Sequence, residues 1–316
     1  MIINNLITGG TGFLGSYVTR KLVREGKEVV AYDYLTSNVI NNILSEEEMK
    51  KVKIVNGDIT DQIKLGHVIK ENNIDRVIHL ASMLHPISND LPHQAVQVNI
   101  QGQVAVLEAA RLWNLKKVVW ASSAVVYGDR RSHPTLPLPN DAPHCPTTIY
   151  GATKSFNEFL TLHYTNTWDL DTLGLRFTVV YGPGRVRGAS AFVNELIVNP
   201  ALGKPAVVDN GDDVIDWQYV EDVARLLVKC SKVGPTKTKI FNTTFDIKSV
   251  KTAGEYVKTL TGVDVSYNPG TFGIAWELDD SRLQEEIGFE PEYTMEKGIK
   301  TMINYIRENN GLVKLE

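Results

Sequence analysis

The chain has 316 residues, more than one hydrophobic core usually organises, so a large domain with a smaller partner is expected. A net charge of −4 without a dense basic run argues against nucleic acid and anionic membranes as partners. No apolar stretch is long enough for a membrane span, and the N-terminus lacks a signal-peptide pattern, so we expect a cytoplasmic protein. No histidine pair has the spacing of metal ligands, so we predict no metal.

Short apolar runs alternate with amphipathic segments through the first half of the chain. Helical spacing in LGSYVTRKLVRE (14–25) and HQAVQVNIQGQVAVLEAARLW (93–113) separates runs that read as strands. This alternation predicts an α/β fold, a Rossmann-type doubly wound parallel sheet with helices on both faces. The predicted strands are IINNLIT (2–8), EVVAYD (28–33), VKIVNGD (52–58), RVIHLAS (76–82), KKVVWASS (116–123) and DTLGLRFTVVYG (171–182).

The first strand runs into TGGTGFLG, where Gly9, Gly12 and Gly15 are spaced by threes. A tight turn, close backbone approach to a pyrophosphate and close helix packing each require a missing Cβ, and the helix N-terminus attracts the phosphates. Asp33 ends the next strand, where a carboxylate accepts hydrogen bonds from both ribose hydroxyls, and no cation follows in YLTSN. The pattern therefore predicts a dinucleotide site that prefers NAD to NADP.

After YGPGR the alternation loosens, Gly and Pro become frequent, and the helical stretches 250–262 and 294–309 close the chain. This change predicts a smaller C-terminal α/β lobe that binds the substrate. We assign residues 1–176 to the NAD-binding domain, with 214–245 returning to it, and residues 177–213 and 246–316 to the substrate-binding lobe. The active site is expected between the lobes, at the carboxyl ends of the parallel strands.

The stretch YGATK places Tyr150 and Lys154 one helical turn apart, on one face of a helix. A free phenol titrates near ~10, and a nearby ammonium stabilises its phenolate. Ser123, at the end of a predicted strand, would hold a substrate hydroxyl against Tyr150. Taken alone, such a pair is more often a solvated surface pair than a proton-transfer device.

Seven motifs decide between these two interpretations. TGGTGFLG, NGDITD, HLAS, SSAVVYG, YGATK, VVYGPG and YVEDVA occur in the order found in the extended short-chain dehydrogenase/reductases. The chain resembles their NAD-dependent epimerase/dehydratase family over nearly its whole length, with motifs similar to nucleotide-sugar 4-epimerases. The resemblance implies that Tyr150 is the base, that Lys154 also binds the nicotinamide ribose, and that Ser123 orients the substrate.

The same resemblance implies the rest of the cofactor site. Asp58 and Ile59 would flank the adenine, Ala81 and Ser82 would line the pyrophosphate and nicotinamide ribose, and Asn99 would be a buried structural residue. The predicted NAD-binding residues are Gly9, Thr11, Gly12, Phe13, Leu14, Asp33, Asp58, Ile59, Leu80, Ala81, Ser82, Tyr150 and Lys154.

The reaction that follows oxidation depends on the residues after Ser123. Similar dehydratases and decarboxylases carry acidic or amide side chains there, whereas this chain has Ala124 and Val125, which move no proton. A sugar epimerase with a tightly held NAD is therefore the leading hypothesis. A net dehydrogenase or an oxidation-coupled retro-aldol lyase on a small polyol, sugar acid or hydroxyketone stays open, and a non-catalytic NAD-binding regulatory protein is disfavoured.

The small-molecule substrate is the weakest part of the resemblance. Where the family usually has two diphosphate-binding arginines and an asparagine, this chain has Ile215, Asn268 and Val179. Such a loss removes charge-assisted hydrogen bonds worth ~1.5–3 kcal/mol each, which favours another substrate. The predicted substrate-binding residues are His85, Ser123, Ala124, Val179, Arg185 and Arg187.

Further side chains are candidates for the cleft or for assembly. His133 and His144 precede Tyr150 and could reach the cleft, and Trp217 and Tyr219 either close it or pack in the core. Family members of this kind usually pair through two long helices per subunit, which predicts a homodimer. The apolar residues expected to stay partly exposed for this contact are Val104, Leu107, Phe156 and Leu160.

Overall fold

The structure is a computed structural model that describes residues 5–188, 192–271, 273–274 and 276–316. The strands, in chain order, are β1 (Asn5–Thr8), β2 (Val29–Asp33), β3 (Val52–Asn56), β4 (Arg76–His79), β5 (Lys117–Ser123), β6 (Thr172–Phe177), β7 (Val179–Tyr181), β8 (Ala206–Asp209), β9 (Val214–Tyr219), β10 (Ile240–Asn242), β11 (Ile247–Ser249) and β12 (Val265–Asn268).

Thirteen α-helices are found in the described residues. In chain order they are α1 (Phe13–Arg24), α2 (Val39–Ile43), α3 (Glu46–Met49), α4 (Gln62–Glu71), α5 (Ile87–Asp90), α6 (Pro92–Val96), α7 (Gly102–Leu112), α8 (Ile149–Trp168), α9 (Phe192–Ala201), α10 (Val220–Cys230), α11 (Val250–Thr261), α12 (Ser281–Glu286) and α13 (Met295–Asn309). A π-helical turn, Gln97–Gln101, joins α6 to α7. None of these helices is both long and apolar enough to cross a membrane.

Seven strands form one sheet in the order β10-β6-β5-β4-β1-β2-β3, and every neighbouring pair is parallel. One face is covered by a core that includes α1 and α10, and the other by a core that includes α4 and α7. The predicted doubly wound fold is confirmed. Strand order reverses between β1 and β4, the point at which such sheets bind ligands beyond their carboxyl ends.

The sequence prediction for the first and sixth strands differs from the structure in detail. Of the first strand, residues 2–4 lie outside the described residues. The sixth, predicted as one strand over 171–182, is divided at Thr178 into β6 and β7, which belong to different sheets. The Thr178 N–H donates to the Gln218 Oε1 at 3.3 Å, and the Thr178 Oγ1 donates to the buried Asp216 carboxylate at 2.8 Å.

A smaller lobe follows this break. It contains a three-stranded sheet, β11-β9-β7, and a parallel pair, β12-β8, which share a core with α9, α11 and α13. Strand β9 belongs to this lobe, whereas α10 packs on α1 and β10 pairs with β6 in the large sheet. We therefore propose that the chain returns to the larger lobe at Val220 rather than at residue 214.

Candidate active site

A cavity of about 1280 Å³ opens at the carboxyl ends of the parallel strands. The glycine loop after β1, the ends of β2 to β5 and the start of α8 form its walls on the large lobe. The described residues of the small lobe that line it are Val180, residues 184–188, Ile274 and Trp276. The cavity therefore lies between the lobes, where the sequence predicted the active site.

The glycine loop is built from close backbone contacts. Gly9 has a φ of +66°, which a glycine adopts without strain, and its N–H donates to the Tyr32 carbonyl at 2.8 Å. A Cβ on Gly15 would lie 2.0 Å from the Gly9 carbonyl oxygen, so only glycine lets α1 start this close to the turn. The N-cap residue, Gly12, offers no side-chain acceptor to the first N–H groups of α1, which suits a phosphate at that position.

Asp33 is held in place by the same loop. Its Oδ2 accepts from the backbone N–H of Thr11 at 3.0 Å and from the Thr11 hydroxyl at 2.7 Å. Its Oδ1 accepts from the Tyr34 N–H at 3.0 Å. Asp33 lines the cavity, whereas Thr11 is fully buried behind it, so the structure places Thr11 as a support for Asp33.

The other residues predicted to bind the cofactor lie along the cavity wall. Asn99 is buried in the π-helical turn, where its amide bonds both the N–H and the carbonyl of Met83 and accepts from the Ser82 hydroxyl. This wider turn fixes the segment after β4 against the helix, which agrees with the prediction that Asn99 is a buried structural residue. The predicted cofactor residues that line the cavity are Gly9, Gly12, Phe13, Leu14, Asp33, Asp58, Ile59, Leu80, Ala81, Ser82, Tyr150 and Lys154.

The three predicted catalytic side chains meet at one point of the cavity. Ser123 is the last residue of β5, and Tyr150 and Lys154 lie on the first turns of α8. Thr148 begins this helix by accepting the Gly151 N–H with its hydroxyl at 3.0 Å. The Lys154 Nζ donates to the Ala121 carbonyl at 2.7 Å, and the Ser123 hydroxyl accepts from the Val125 N–H at 3.4 Å.

The pKa of Tyr150 differs from the sequence expectation, which was that the Lys154 ammonium stabilises the phenolate. Burial raises the pKa of Tyr150 to about 12, while the Ser123 hydrogen bond and the Arg185 guanidinium lower it. Arg185 is a cation that sequence reasoning did not connect with Tyr150. Burial also lowers the pKa of Lys154 to about 8, so the ammonium remains the major form at neutral pH but loses its proton at a lower pH than a solvated lysine does.

A buried charged cluster lies beneath Lys154. Glu158 follows one turn later on α8 and accepts from Arg176 at 2.9 and 2.7 Å and from the Ser122 hydroxyl at 2.5 Å. Burial raises the pKa of Glu158, but hydrogen bonds from His144 and Arg176 outweigh this effect and lower it to about 2. The negative charge of Glu158 in turn raises the pKa of Lys154 and opposes the effect of its burial.

Sequence reasoning missed this cluster. The i,i+4 spacing of Lys154 and Glu158 was a usable signal, because it puts both side chains on one helix face. The partner Arg176 lies on β6 and is distant in sequence, so no local pattern joined them.

The predicted substrate residues separate into two groups. His85, Ser123, Arg185 and Arg187 line the cavity. Ala124 and Val179 do not, because both are buried in the core beneath the small lobe. Val125, the next residue, does line the cavity and presents an aliphatic side chain there.

Other predicted residues lie away from the cavity. His133 is buried and its ring hydrogen-bonds the Tyr127 carbonyl at 2.7 Å. The His144 ring lies 3.2 Å from the Glu158 carboxylate. Neither histidine lines the cavity, although the sequence suggested that both could reach it. The aromatic side chains of Trp217 and Tyr219 pack in the small-lobe core, which was the alternative to closing the cleft.

The two positions where the family usually has diphosphate-binding arginines are also outside the cavity. Ile215 is fully buried in the core of the small lobe. Asn268 is exposed and donates to Asp209 at 3.0 Å at the edge of the β12-β8 pair.

Comparisons with known proteins agree with this architecture. The sequence model described as GDP-mannose 4,6-dehydratase matches residues 6–302. The UDP-glucose 4-epimerase of Mycolicibacterium smegmatis is 29% identical, over 98% of this chain and 100% of that protein. The structure of a UDP-glucose 4-epimerase from Thermotoga maritima with UDP-glucose superposes with a TM-score of 0.86 and 26% identity, covering 97% of this chain and 99% of that one.

A second solved structure is a UDP-glucose 4-epimerase of Thermus thermophilus in complex with NAD. It has a TM-score of 0.81 and 25% identity, and the match covers 96% of this chain and 99% of that one. The family match spans most of the chain, and the site geometry lies within it. The chain therefore belongs to the GDP-mannose 4,6-dehydratase family, in the NAD-dependent epimerase/dehydratase group of extended short-chain dehydrogenases/reductases, and is an enzyme.

Proposed function

We propose that the enzyme oxidises a secondary alcohol of a sugar or related polyol with NAD, in an epimerase-type reaction that passes through a ketone. The observation that carries the proposal is the meeting of Ser123, Tyr150 and Lys154 in a cavity that also contains the glycine loop and Asp33. The names of the relatives, UDP-glucose 4-epimerases, support the same class of chemistry.

The residues present fit NAD. A Cβ on Gly9 would lie 3.0 Å from the Ala81 nitrogen, so the glycine lets the loop after β1 pack against the segment after β4, and both line the cavity in which a pyrophosphate would bind. Asp33 presents its carboxylate at the end of β2, where a ribose would bind. When bound, NAD accepts the hydride from the substrate carbon.

The side chains handle the proton. Ser123 donates to or accepts from the substrate hydroxyl and holds it next to Tyr150. The Tyr150 phenolate takes the hydroxyl proton as the C–H electron pair leaves carbon, and the C=O bond forms. Lys154 and Arg185 stabilise the phenolate through their positive charges. In an epimerase-type reaction the ketone would rotate in the cavity and take the hydride back on its other face, and the same groups would return the proton to its oxygen.

A second candidate is a net dehydrogenase, or an oxidation-coupled lyase, on a small substrate. It is favoured by the uncharged Ile215 and Asn268, which stand where the resemblance implies two diphosphate-binding arginines. A dehydratase is disfavoured, since Val125 lines the cavity where such enzymes carry an acid or amide.

Cofactor retention separates the two candidates. An epimerase-type enzyme regenerates its NAD in each cycle, so purified protein should hold the nicotinamide cofactor through gel filtration. A dehydrogenase releases NADH and should exchange it freely with the medium. The absorbance of the purified protein and of its denatured supernatant measures this directly.

The Asp33→Ala variant is expected to weaken NAD binding and to narrow the preference for NAD over NADP. The carboxylate accepts ribose hydroxyl hydrogen bonds and repels a 2′-phosphate, and alanine removes both effects. Titration of each cofactor by calorimetry measures the ratio. Asp209→Ala, an exposed aspartate outside the cavity, is the matched control. A wild-type protein that already prefers NADP would contradict this assignment.

We propose a homodimer that pairs through α8 and the helix formed by α6 and α7. On α8, Phe156 is 47% exposed and Phe159 is 71% exposed, more apolar surface than a helix usually leaves in water. Leu107, by contrast, is fully buried within the subunit and cannot take part in this contact as predicted. Its side chain packs in the protein interior rather than on the outer helix face.

Light scattering is expected to give twice the subunit mass of 35.2 kDa. Phe159→Glu places a charge in the apolar contact and should shift the protein towards monomer. The control is Ile63→Glu, a similarly exposed apolar residue on α4. If the wild-type protein has the mass of one subunit at all concentrations, the homodimer proposal is wrong.

A further inference from the structure

One loop of the small lobe crosses the cavity. This loop, residues 183–188, follows β7 and is named the strap, and residues 184–188 line the cavity. The cavity extends from Asp33, at the end of β2, to Ser123, at the end of β5, and β1 and β4 lie between these two strands in the sheet. The strap contacts the large lobe on both sides of the crevice between β1 and β4.

On one side of the crevice, the strap packs against α1 and α2. The hydroxyl of Tyr17, a buried residue of α1, donates to the Pro183 carbonyl at 3.0 Å. A Cβ on Gly184 would lie 2.9 Å from the Val39 Cγ1 at the start of α2, and the φ of Gly184 is +90°, which favours glycine. The strap backbone therefore lies directly on these two helices, with no side chain of its own between them at Gly184.

On the other side of the crevice, the strap reaches the segment after β4. A Cβ on Gly188 would lie 3.4 Å from the Leu84 Cδ1, and Leu84 lines the cavity as well. Phe13 follows the glycine loop after β1, and the Arg185 guanidinium lies 5.5 Å from the centroid of its ring. The strap thus spans the crevice at which the strand order of the sheet reverses.

Arg185 braces the strap from within. Its Nε donates to the Arg187 carbonyl at 2.9 Å, and its Nη1 donates to the Val180 carbonyl on β7 at 3.0 Å. Both bonds join atoms of the small lobe, so they would persist if the strap moved away from α1 and α2. The contacts that hold it to those helices are the Tyr17 hydrogen bond, the approach of Arg185 to Phe13 and the packing on Val39.

The path of a dinucleotide through the cavity runs under this strap. A cofactor with its adenosine ribose at Asp33 and its nicotinamide beside Tyr150 would carry its pyrophosphate over the glycine loop, at the start of α1. The strap contacts α1 at the same place, through Phe13 and Tyr17. The pyrophosphate would therefore lie between the glycine loop and the strap.

We propose that the strap is a gate for the cofactor, which must detach from α1 and α2 before NAD enters or leaves the cavity. The inference rests on the proposed function for the identity of the cofactor, but it concerns cofactor exchange rather than the reaction. The contacts that close the gate join protein to protein, so weakening them should accelerate entry and exit by similar factors and leave the dissociation constant nearly unchanged. Loss of a residue that only supports the bound cofactor would instead accelerate exit alone and weaken binding.

Stopped-flow fluorescence of NADH measures both rates. Mixing NADH-loaded protein with excess NAD gives the exit rate, and mixing cofactor-free protein with NADH gives the entry rate. Tyr17→Phe keeps the ring and loses the hydrogen bond to Pro183, and it is expected to raise both rates about 2- to 10-fold. Tyr267→Phe, which removes a phenol that donates to the Lys251 carbonyl at 3.2 Å outside the cavity, is the matched control and should leave both rates unchanged.

A second variant opens the strap from its own backbone. Gly184→Ala is expected to raise both rates about 5- to 100-fold, because alanine is strained at this φ and its methyl group would meet the Val39 Cγ1.

A crosslink should have the opposite effect. The approach of Gly184 to Val39 suits the short Cβ–Cβ separation of about 3.5–4.5 Å in a disulfide, so the double variant Val39→Cys/Gly184→Cys is oxidised to lock the strap. Oxidation is expected to slow NADH exit at least 10-fold, and dithiothreitol should restore it. Val39→Cys alone, oxidised in the same way, controls for the native Cys145 and Cys230. If the double variant does not fold, Tyr17→Phe and Gly184→Ala still decide the question.

The outcomes separate the gate from the reaction. Exchange rates that neither Tyr17→Phe nor Gly184→Ala changes would overturn the gate, and so would an oxidised double variant that releases NADH as fast as its reduced form. Faster exit with unchanged entry and weaker binding in both single variants would show that the strap only supports the bound cofactor, which also overturns the gate. Exchange controlled by the strap in a protein that oxidises no alcohol would remove the proposed function and leave the gate.

Discussion

A Tyr150→Phe variant is expected to oxidise its substrate about 100- to 10,000-fold more slowly than the wild type, the usual range for removal of a general base. Phenylalanine keeps the ring and its packing on α8 but has no oxygen to take the proton. The fold and the affinity for NAD should stay unchanged, because Asp33 and the glycine loop bind the cofactor elsewhere. Single-turnover kinetics with the NAD-loaded protein measure the loss.

The pH profile adds a second readout. Burial raises the pKa of Tyr150 to about 12 without ligands, so the wild-type rate should increase with pH up to about 8, above which Lys154 loses the charge that stabilises the phenolate. The residual rate of Tyr150→Phe should lack this rise. Tyr305→Phe, which removes a phenol that bonds the Asn42 carbonyl outside the cavity, serves as the control. If Tyr150→Phe oxidised the substrate as fast as the wild type, the proposed mechanism would be wrong.

Glu158→Gln is expected to lower the free energy of unfolding by about 3–5 kcal/mol, the effect of removing one partner of a buried ion pair. The side chains of Glu158 and Arg176 are only 3% and 6% exposed, so the arginine charge would be left uncompensated in the interior. Chemical denaturation of wild type and variant measures the difference. Glu47→Gln, at an exposed pair with Lys50, should change stability by less than about 1 kcal/mol.

The stability difference between wild type and Glu158→Gln should depend on pH. The pKa of Glu158 is about 2 in the folded chain, below the value near ~4.3 of an unfolded glutamate. Its contribution to stability is therefore complete above the unfolded value and is lost as pH falls towards 2. The difference between wild type and Glu158→Gln should shrink over the same interval. A variant as stable as wild type at neutral pH would show that Arg176 finds another partner.

The sheet and the cofactor end of the site could be predicted because their signals are local. The glycine spacing, the strand that precedes it and Asp33 at the end of the next strand lie within one βαβ unit. Tyr150 and Lys154 are one turn apart on a single helix, so their meeting required only that the helix form. Ser123 followed from the rule that parallel strands end at the same edge.

The features that escaped prediction depend on contacts between distant segments. Arg176 and Glu158 come from a strand and a helix, and only the tertiary fold brings them together under Lys154. At the break, Thr178 contacts Asp216, which lies on another strand. The position of Arg185 over Phe13 likewise follows from how the two lobes face each other, which no periodicity in the sequence records.

The return of the chain to the large sheet has a consequence for any attempt to dissect the enzyme. A fragment that ended at residue 176 would lack β10, leaving the backbone of β6 as an unpaired edge, and would lack α10, leaving the apolar face of α1 uncovered. Such a fragment is prone to aggregate rather than to behave as a separate cofactor-binding module. Recombination with related enzymes would therefore have to exchange 1–176 together with the segment from Val220 to Asn242, as one inherited unit.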